Sequence, residues 1–185
     1  MKKQYNRFYN NMFVQQPVRP DLVDHVLHGD KDTEHIQFVC GTKPFDGYPT
    51  GEEYEARFAR VAPMDGADKD RYYDHLPIWT GGNVYFNGAQ PCDKEQDFYV
   101  DAEHKVSLEL TNDGILTTNL FGFLPELPNQ MITTQLLGMA FEPEQLFENP
   151  DGSPIVFDSD YFGNHREAAP LSGPFAVGGD TYSLL

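Results

Sequence analysis

The clearest pattern of apolar and polar positions lies in residues 105–123. Apolar residues occupy every second position from Val106 to Leu110, which is the period of a half-buried strand. Residues 111–114 read Thr-Asn-Asp-Gly, a sequence typical of tight turns, and Ile115 begins a second apolar and β-branched run. The pattern therefore predicts an antiparallel hairpin.

Several shorter apolar or aromatic runs end at glycine, proline or polar residues, and each predicts a further strand. They are residues 35–40, 57–61, 76–80, 83–86, 97–100, 131–137, 155–157 and a final edge strand within 171–185. Asn87 and Gly88 form the dipeptide most typical of a hairpin turn. Residues 51–63 fit a helix or a strand, and alternation after Arg57 favours the strand. The whole pattern predicts an all-β fold, an antiparallel β-sandwich or jelly roll.

The first 33 residues have a different texture, rich in Asn, Gln and aromatic side chains. Between Pro20 and Gly29 the apolar residues follow helical spacing, which predicts one short helix. We expect residues 1–33 to form an N-terminal arm, packed on a neighbouring chain or on the chain's own sheet. Residues 34–185 are expected to form a single β-sandwich domain.

Charge limits the classes of partner. The sequence has 13 Lys and Arg residues against 29 Asp and Glu residues, a formal net charge of −16. Nucleic acids and anionic membranes are therefore disfavoured, because both are bound through basic side chains. A cation or a neutral polar molecule is compatible with this charge. No apolar run approaches the ~18 residues of a membrane span.

Two cysteines bear on the cellular setting. Cys40 and Cys92 stand in no metal-binding or redox spacing, and the N-terminus lacks the apolar segment of a signal peptide. We therefore expect a cytoplasmic protein with free thiols.

Aromatic residues next to predicted turns form the first candidate site. A sugar ring presents an apolar face and hydroxyl edges, which aromatic and polar side chains together match. The predicted ligand-binding residues are Trp79, Tyr85, Asp160, Tyr161, His165 and Arg166. Each aromatic could equally be an ordinary core residue. The basic pair could instead bind neighbouring acids, a carboxylate or a second subunit.

The acidic segment 142–167 supplies two further candidate sites. Oxygen ligands on turns suit a hard divalent cation such as Ca²⁺, the candidate cofactor, although such acids also stabilise turns. The predicted metal ligands are Glu148, Asp151, Asp158 and Asp160. Glycoside cleavage requires two carboxylates roughly 5 to 9.5 Å apart. The candidate catalytic residues are Glu142, Glu144 and Asp158, for which exposed surface acids are the alternative.

Three functions are compatible with these observations. The first is binding of a carbohydrate or glycoside, as a small or accessory subunit of a sugar-active enzyme. The second is a standalone carboxylate- or metal-dependent hydrolase or lyase. The third is a structural or assembly protein that joins a neighbour through its arm. A homo- or hetero-oligomer is expected. Aromatic and acidic residues on turns favour carbohydrate or another neutral polar small molecule as the ligand.

Overall fold

A computed structural model of the chain describes residues 6–17, 39–59, 74–140 and 143–185, and most of its regular elements are strands. In chain order these elements are β1 (Asn6–Tyr9), β2 (Met12–Val14), α1 (Gly51–Phe58), β3 (Ile78–Gly81), β4 (Val84–Phe86), β5 (Tyr99–Val100), β6 (Leu108–Leu110), β7 (Ile115–Thr118), α2 (Thr134–Leu137), β8 (Met139–Ala140), β9 (Gln145–Leu146) and β10 (Thr181–Ser183). Short 3₁₀ turns occur at Lys43–Phe45 and Leu120–Gly122. The expectation of a mainly-β fold is confirmed.

The first five strands pair in parallel. β1 lies beside β3, and β2 lies beside β4 with Met12 opposite Val84. Further along the path, Gly41 forms a parallel bridge with Gln90, and β5 joins the other edge of β4. β3 and β4 thus follow the same course as β1 and β2, and each lies parallel to its counterpart. The expectation of antiparallel neighbours is wrong for these strands, because alternation alone does not distinguish the two pairings and a long connection permits the parallel one.

The remaining strands are antiparallel. β6 and β7 form the hairpin predicted within residues 105–123, with Leu108 opposite Thr118. β10 pairs with β7 at the edge of the same sheet, as predicted for the tail, and β8 pairs with β9. The described strands form four sheets of two or three strands each. A sandwich or jelly roll stays a prediction that these small sheets do not confirm.

Helix α1 occupies a segment for which a strand was favoured. The Thr50 hydroxyl accepts a hydrogen bond from the Glu53 amide, and the Glu53 carboxylate accepts one from the Thr50 amide. This reciprocal cap satisfies two amides that a helix start leaves open. Tyr54 and Phe58 stand one helical turn apart and are buried together with Leu76. Capping and this apolar face outweigh the alternation.

Helix α2 replaces part of the strand predicted over residues 131–137. The Thr133 hydroxyl caps it by accepting from the Leu136 amide, and Gly138 ends it with φ of 66°. In the described parts of the chain, no helix is long and apolar enough to cross a membrane.

Part of the predicted arm lies in the chain's own sheets, because residues 6–14 form β1 and β2. The helix predicted between Pro20 and Gly29 and the boundary at residue 33 lie outside the described residues.

The main core packs β4 against the hairpin segment. Val84, Phe86, Val106 and Leu120 are buried in one cluster, with Met12 of β2 packed against it. Burial of β4 fixes the corner that precedes it, at Gly82 and Asn83. That corner borders a cavity lined by several polar side chains.

Candidate functional site

A cavity of about 380 Å³ opens beside the corner between β3 and β4. Its walls come from the end of β1, the start of α1, β3, the loop after residue 93 and the segment 128–130. The side chains important for its chemistry are Asn10, Trp79, Gln96, Asp97, Asn129 and Gln130.

The backbone around this cavity adopts left-handed conformations. Gly82 has φ of 69°, and a side chain there would overlap the side-chain oxygens of Asn10 and Asn129. Asn10 and Asp97 also have positive φ, of 54° and 48°. Such conformations cost free energy in residues other than glycine, and they cluster at binding sites.

The buried side-chain amide of Asn129 uses its nitrogen but not its oxygen in hydrogen bonds among the described residues. Its side chain is 6% exposed, and Nδ2 donates to the carbonyl oxygen of Pro170 (2.9 Å) and to Ser172 Oγ (3.0 Å). A backbone carbonyl only accepts, so these contacts fix the orientation of the amide. Oδ1 is then left without a hydrogen-bond partner among the described residues. A buried unsatisfied acceptor costs about 1–3 kcal/mol, and this one lies against Gly82.

Trp79 borders the same cavity and is fixed in orientation. The Arg7 guanidinium lies over its indole, with 4.1 Å between Cζ and the ring centroid. Arg7 itself is held by hydrogen bonds to the carbonyl oxygens of Leu137 and Met139. At the start of α1, Gly51 approaches the ring so closely that a Cβ would lie 3.2 Å from Trp79 Cζ2. A rigid indole is the kind of surface on which a sugar ring packs.

Thr80 connects the cavity to a hydrogen-bond network centred on Glu95. Glu95 Oε2 accepts from the hydroxyls of Thr42, Thr80 and Tyr85 at 2.8, 2.6 and 2.6 Å, and Oε1 accepts from Asn83 Nδ2 at 2.6 Å. Burial, together with the hydrogen bond to the Glu95 carboxylate, raises the pKa of Tyr85, which therefore stays a protonated donor. The Glu95 carboxylate accordingly holds the corner together.

The predicted ligand-binding residues fall into separate places. Trp79 lines the first cavity, and Arg166 lines a second one of about 410 Å³, which shares Tyr9 and Asn10 with the first. Tyr85 is fully buried in the Glu95 network.

Three other predicted ligand-binding residues, Asp160, Tyr161 and His165, lie in one loop. Tyr161 is 60% exposed and donates its hydroxyl to the carbonyl oxygen of Leu184 at 2.9 Å. His165 is exposed beside its bridge partner Ser159.

Asp160 stabilises that loop. Its carboxylate accepts hydrogen bonds from the amides of Ala176, Asn164 and Phe162. The Ala176 amide, followed by the side chain and amide of Asn164, holds the pKa of Asp160 at about 2. This is the turn-stabilising alternative for an aspartate in such a segment.

The four acids predicted as cation ligands do not share a site. Asp151 accepts from the amide and hydroxyl of Ser153 within its own turn, and Asp160 is engaged as described above. Glu148 and Asp158 are exposed. Within the described ranges, no group of three or more His, Cys, Asp or Glu side chains could hold a metal ion. Binding of Ca²⁺ by these acids stays a prediction, and the two aspartates with clear partners stabilise their own turns.

Two of the candidate catalytic acids, Glu144 and Asp158, are not among the residues that line the first cavity. Glu144 is exposed in the turn between β8 and β9, where it has φ of 53°. Asp158 is exposed, and its carbonyl oxygen accepts from the Arg166 amide at 2.7 Å. Glu142 lies outside the described residues. Catalysis by these three acids stays a prediction.

Sequence reasoning missed most of the residues that shape the cavity. Asn10 lay in the predicted arm, Asn129 ended a proline-rich break, and Asp97 opened a short predicted strand. None of them stands in a recognisable motif. The useful signal was the Gly81–Gly82 pair beside the one Trp, because paired glycines mark a close approach of backbone and side chains.

No family model matches the chain, and no curated protein matches it either. Among solved structures, it is similar to that of XylC in complex with xylose, with a TM-score of 0.72 and 24% sequence identity. The similarity covers 95% of this chain and 25% of XylC, so the chain spans about a quarter of that protein's length. At this identity the likeness shows a shared, mainly-β fold.

Proposed function

We propose that the chain binds a neutral sugar in the cavity beside Trp79. The observation that carries the proposal is the lining of the cavity, where the Trp79 indole stands beside the side-chain amides of Asn10, Gln96 and Gln130. Amides both donate and accept hydrogen bonds, as sugar hydroxyls do. XylC was solved with xylose, which makes a pentose the natural first probe.

The proposal gives the predicted aromatic residues different roles. Trp79 contacts the apolar face of the sugar, because its rigid ring borders the cavity. Tyr85 acts indirectly: its hydroxyl donates to the Glu95 carboxylate, which also accepts from Thr80 at the edge of the cavity.

Calorimetric titration of the intact chain with xylose and a panel of neutral sugars tests the proposal. We expect Gln96→Ala to weaken binding about tenfold, because one of the side-chain amides that line the cavity is lost. Asn112→Ala is the matched control, since Asn112 is exposed in the hairpin turn and lies outside the cavity. Melting temperatures establish that both variants are folded. If no sugar binds the unmodified chain, the proposal fails.

Hydrolysis of a glycoside is the second candidate function, because two carboxylates, Glu52 and Asp97, line the same cavity. Glycoside hydrolysis uses such a pair on either side of the scissile bond. We expect Glu52→Gln and Asp97→Asn each to lower turnover of a nitrophenyl xyloside roughly a hundredfold or more. Glu109→Gln, on the exposed face of the hairpin, is the control. Equal rates in all variants would remove these acids from any catalytic role.

We also propose that the chain works as an accessory part of a larger sugar-binding assembly in the cytoplasm. Its quarter-length match to XylC and its two free thiols, Cys40 and Cys92, support this setting. Light scattering of the intact chain measures its oligomeric state. Deleting residues 1–18 would not test whether the N-terminal arm joins a neighbouring chain. The deletion would also remove two paired strands, β1 and β2.

A further inference from the structure

We infer that the second cavity binds a carboxylate, so that the complete ligand is an acidic sugar chain with a uronic acid beside Arg166. This inference rests on the proposed binding of a neutral sugar in the first cavity. It adds a charged neighbouring unit and a residue that selects it.

The two cavities adjoin each other. Tyr9 and Asn10 line both, and the second cavity has a volume of about 410 Å³. Both volumes fall within the range of about 300–1,000 Å³ that small-molecule sites occupy. Under this inference, a ligand of two sugar units has to pass these two shared residues from one cavity to the other.

The charge of the second cavity is opposite to that of the whole chain. Arg166 is the one charged side chain among the described residues that line it, and none of these residues is acidic. The sequence as a whole carries more than twice as many acidic as basic residues, 29 against 13. A cavity with a lone cation in such a chain favours an anionic group.

The Arg166 guanidinium is held in place without a carboxylate partner. It donates to three backbone carbonyl oxygens, from Nε to Ser159 (3.2 Å), from Nη1 to Leu171 (3.3 Å) and from Nη2 to Gly173 (2.9 Å). Arg166 takes part in none of the ion pairs formed by the described residues. A guanidinium has five N–H donors, so one remains on each terminal nitrogen. A carboxylate accepts two hydrogen bonds from such a pair.

A third cavity of about 280 Å³ also borders Arg166 but is a poor place for an anion. Its lining includes Glu126 and Glu167, whose carboxylates repel a second negative charge. A single guanidinium in a chain of net charge −16 also favours a monoanion over a phosphate dianion. A carboxylate is a monoanionic sugar substituent whose two oxygens match a planar guanidinium.

The test compares two ligands that differ only in charge. One is the disaccharide of glucuronic acid linked to xylose, and the other is the same compound with its carboxylate as a methyl ester. In calorimetric titrations of the intact chain, we expect the acid to bind about tenfold more tightly than the ester.

Variants of the chain assign that difference to Arg166. We expect Arg166→Gln to bring the ratio of the two affinities to about one, and Arg166→Lys to retain part of it, because the charge remains but the paired donors are lost. Arg57→Gln is the control: it removes the same unit of charge from an exposed residue paired with Asp74, and lies outside these cavities. Its ratio should equal that of the unmodified chain. If Arg166→Gln does not fold, the acid and the ester still decide the question on the unmodified chain.

Each outcome separates the inference from the proposed function. Equal binding of acid and ester would overturn the carboxylate site and leave the neutral-sugar site intact. Binding of the acid that depends on Arg166, without any binding of xylose, would support the carboxylate site and remove the neutral-sugar proposal. Tighter binding of inorganic phosphate than of the acid would overturn the choice of a carboxylate. No binding of any probe would remove both.

Discussion

Single residues with left-handed backbone determine the shape of the cavity beside Trp79. Gly82 is the most constrained of them, because its φ is 69° and the side-chain oxygens of Asn10 and Asn129 occupy the space of a Cβ. The two asparagines also line the cavity proposed to bind the sugar. The left-handed backbone at Gly82 therefore lies next to the proposed sugar-binding site.

We expect Gly82→Ala to lower the free energy of unfolding by about 2–4 kcal/mol, because a left-handed alanine is strained and the methyl group overlaps two amides. Urea unfolding measures the change. Gly47→Ala is the matched control, since Gly47 has φ of 76° with nothing within 4 Å of its Cβ position. Its loss should be only about 1–2 kcal/mol. Equal losses would mean that the asparagines move aside without cost.

Asp160 makes stability depend on pH in the acid range. Its pKa in the folded chain is about 2, below the ordinary 3.8, chiefly because it accepts a hydrogen bond from the Ala176 amide. A depressed pKa means that its stabilisation is complete above about pH 4 and is lost as the pH falls towards 2. The pKa of Asp101 is likewise about 2, first because of the His104 amide, so it contributes in the same window.

We therefore expect the melting temperature of Asp160→Asn to depend less on pH than that of the unmodified chain between pH 5 and pH 2. Thermal melts monitored by circular dichroism across this range measure the two slopes. Asp113→Asn, in the exposed hairpin turn, should leave the slope unchanged. Parallel curves for Asp160→Asn and the unmodified chain would contradict the assignment.

At the residue scale, Trp79 was the one predicted ligand-binding residue that lines the first cavity. Asn129 was not predictable because its partners Pro170 and Ser172 are distant along the chain. Arg166 was predicted as a ligand-binding residue, and the structure places it in a cavity. Its carbonyl partners belong to Ser159, Leu171 and Gly173, and the sequence pattern did not predict these three contacts.

Among the elements, the parallel pairings of β1 with β3 and of β2 with β4 were not predictable, because they join residues distant along the chain. The β6–β7 hairpin was predictable because both strands and their turn are contiguous. Asn87 and Gly88 do form a turn, with φ of 57° and 94° and a hydrogen bond from Ala89 N to the Phe86 carbonyl. The chain then continues to Gln90 beside Gly41 instead of returning along β4. Asn87 and Gly88 therefore determine the turn, whereas the parallel bridge between Gly41 and Gln90 determines where the chain runs after it.

The cap of α1 gives the element scale its own prediction. We expect Thr50→Ala to lower the free energy of unfolding by about 1 kcal/mol, because the Glu53 amide loses its acceptor at the helix start. Thr50→Ser keeps the hydroxyl and should be nearly neutral. Urea unfolding of both variants distinguishes them. An equal loss in the two would show that the methyl group of Thr50, not its hydroxyl, stabilises the helix.

Charge acts at the scale of the whole molecule. A net charge of −16 on 185 residues produces repulsion across the surface. Raising sodium chloride from about 0.05 to 0.5 M shortens the screening length severalfold, so we expect the melting temperature to rise by a few degrees. Differential scanning calorimetry at constant pH measures it, with potassium chloride as the control salt. A lower melting temperature would mean that ion pairs such as Lys94–Glu53 outweigh the repulsion.

The parallel pairing of β1 with β3 also governs how the nascent chain acquires order. Asn6 meets Ile78, so a long segment must be synthesised before the first strand has its neighbour. At translation rates of about 5–20 residues per second, that delay is roughly 4–15 s. Contacts between residues so far apart form slowly, since a large loop must close first. During that interval the strand edge of residues 6–14 is open to chaperones and to other nascent chains.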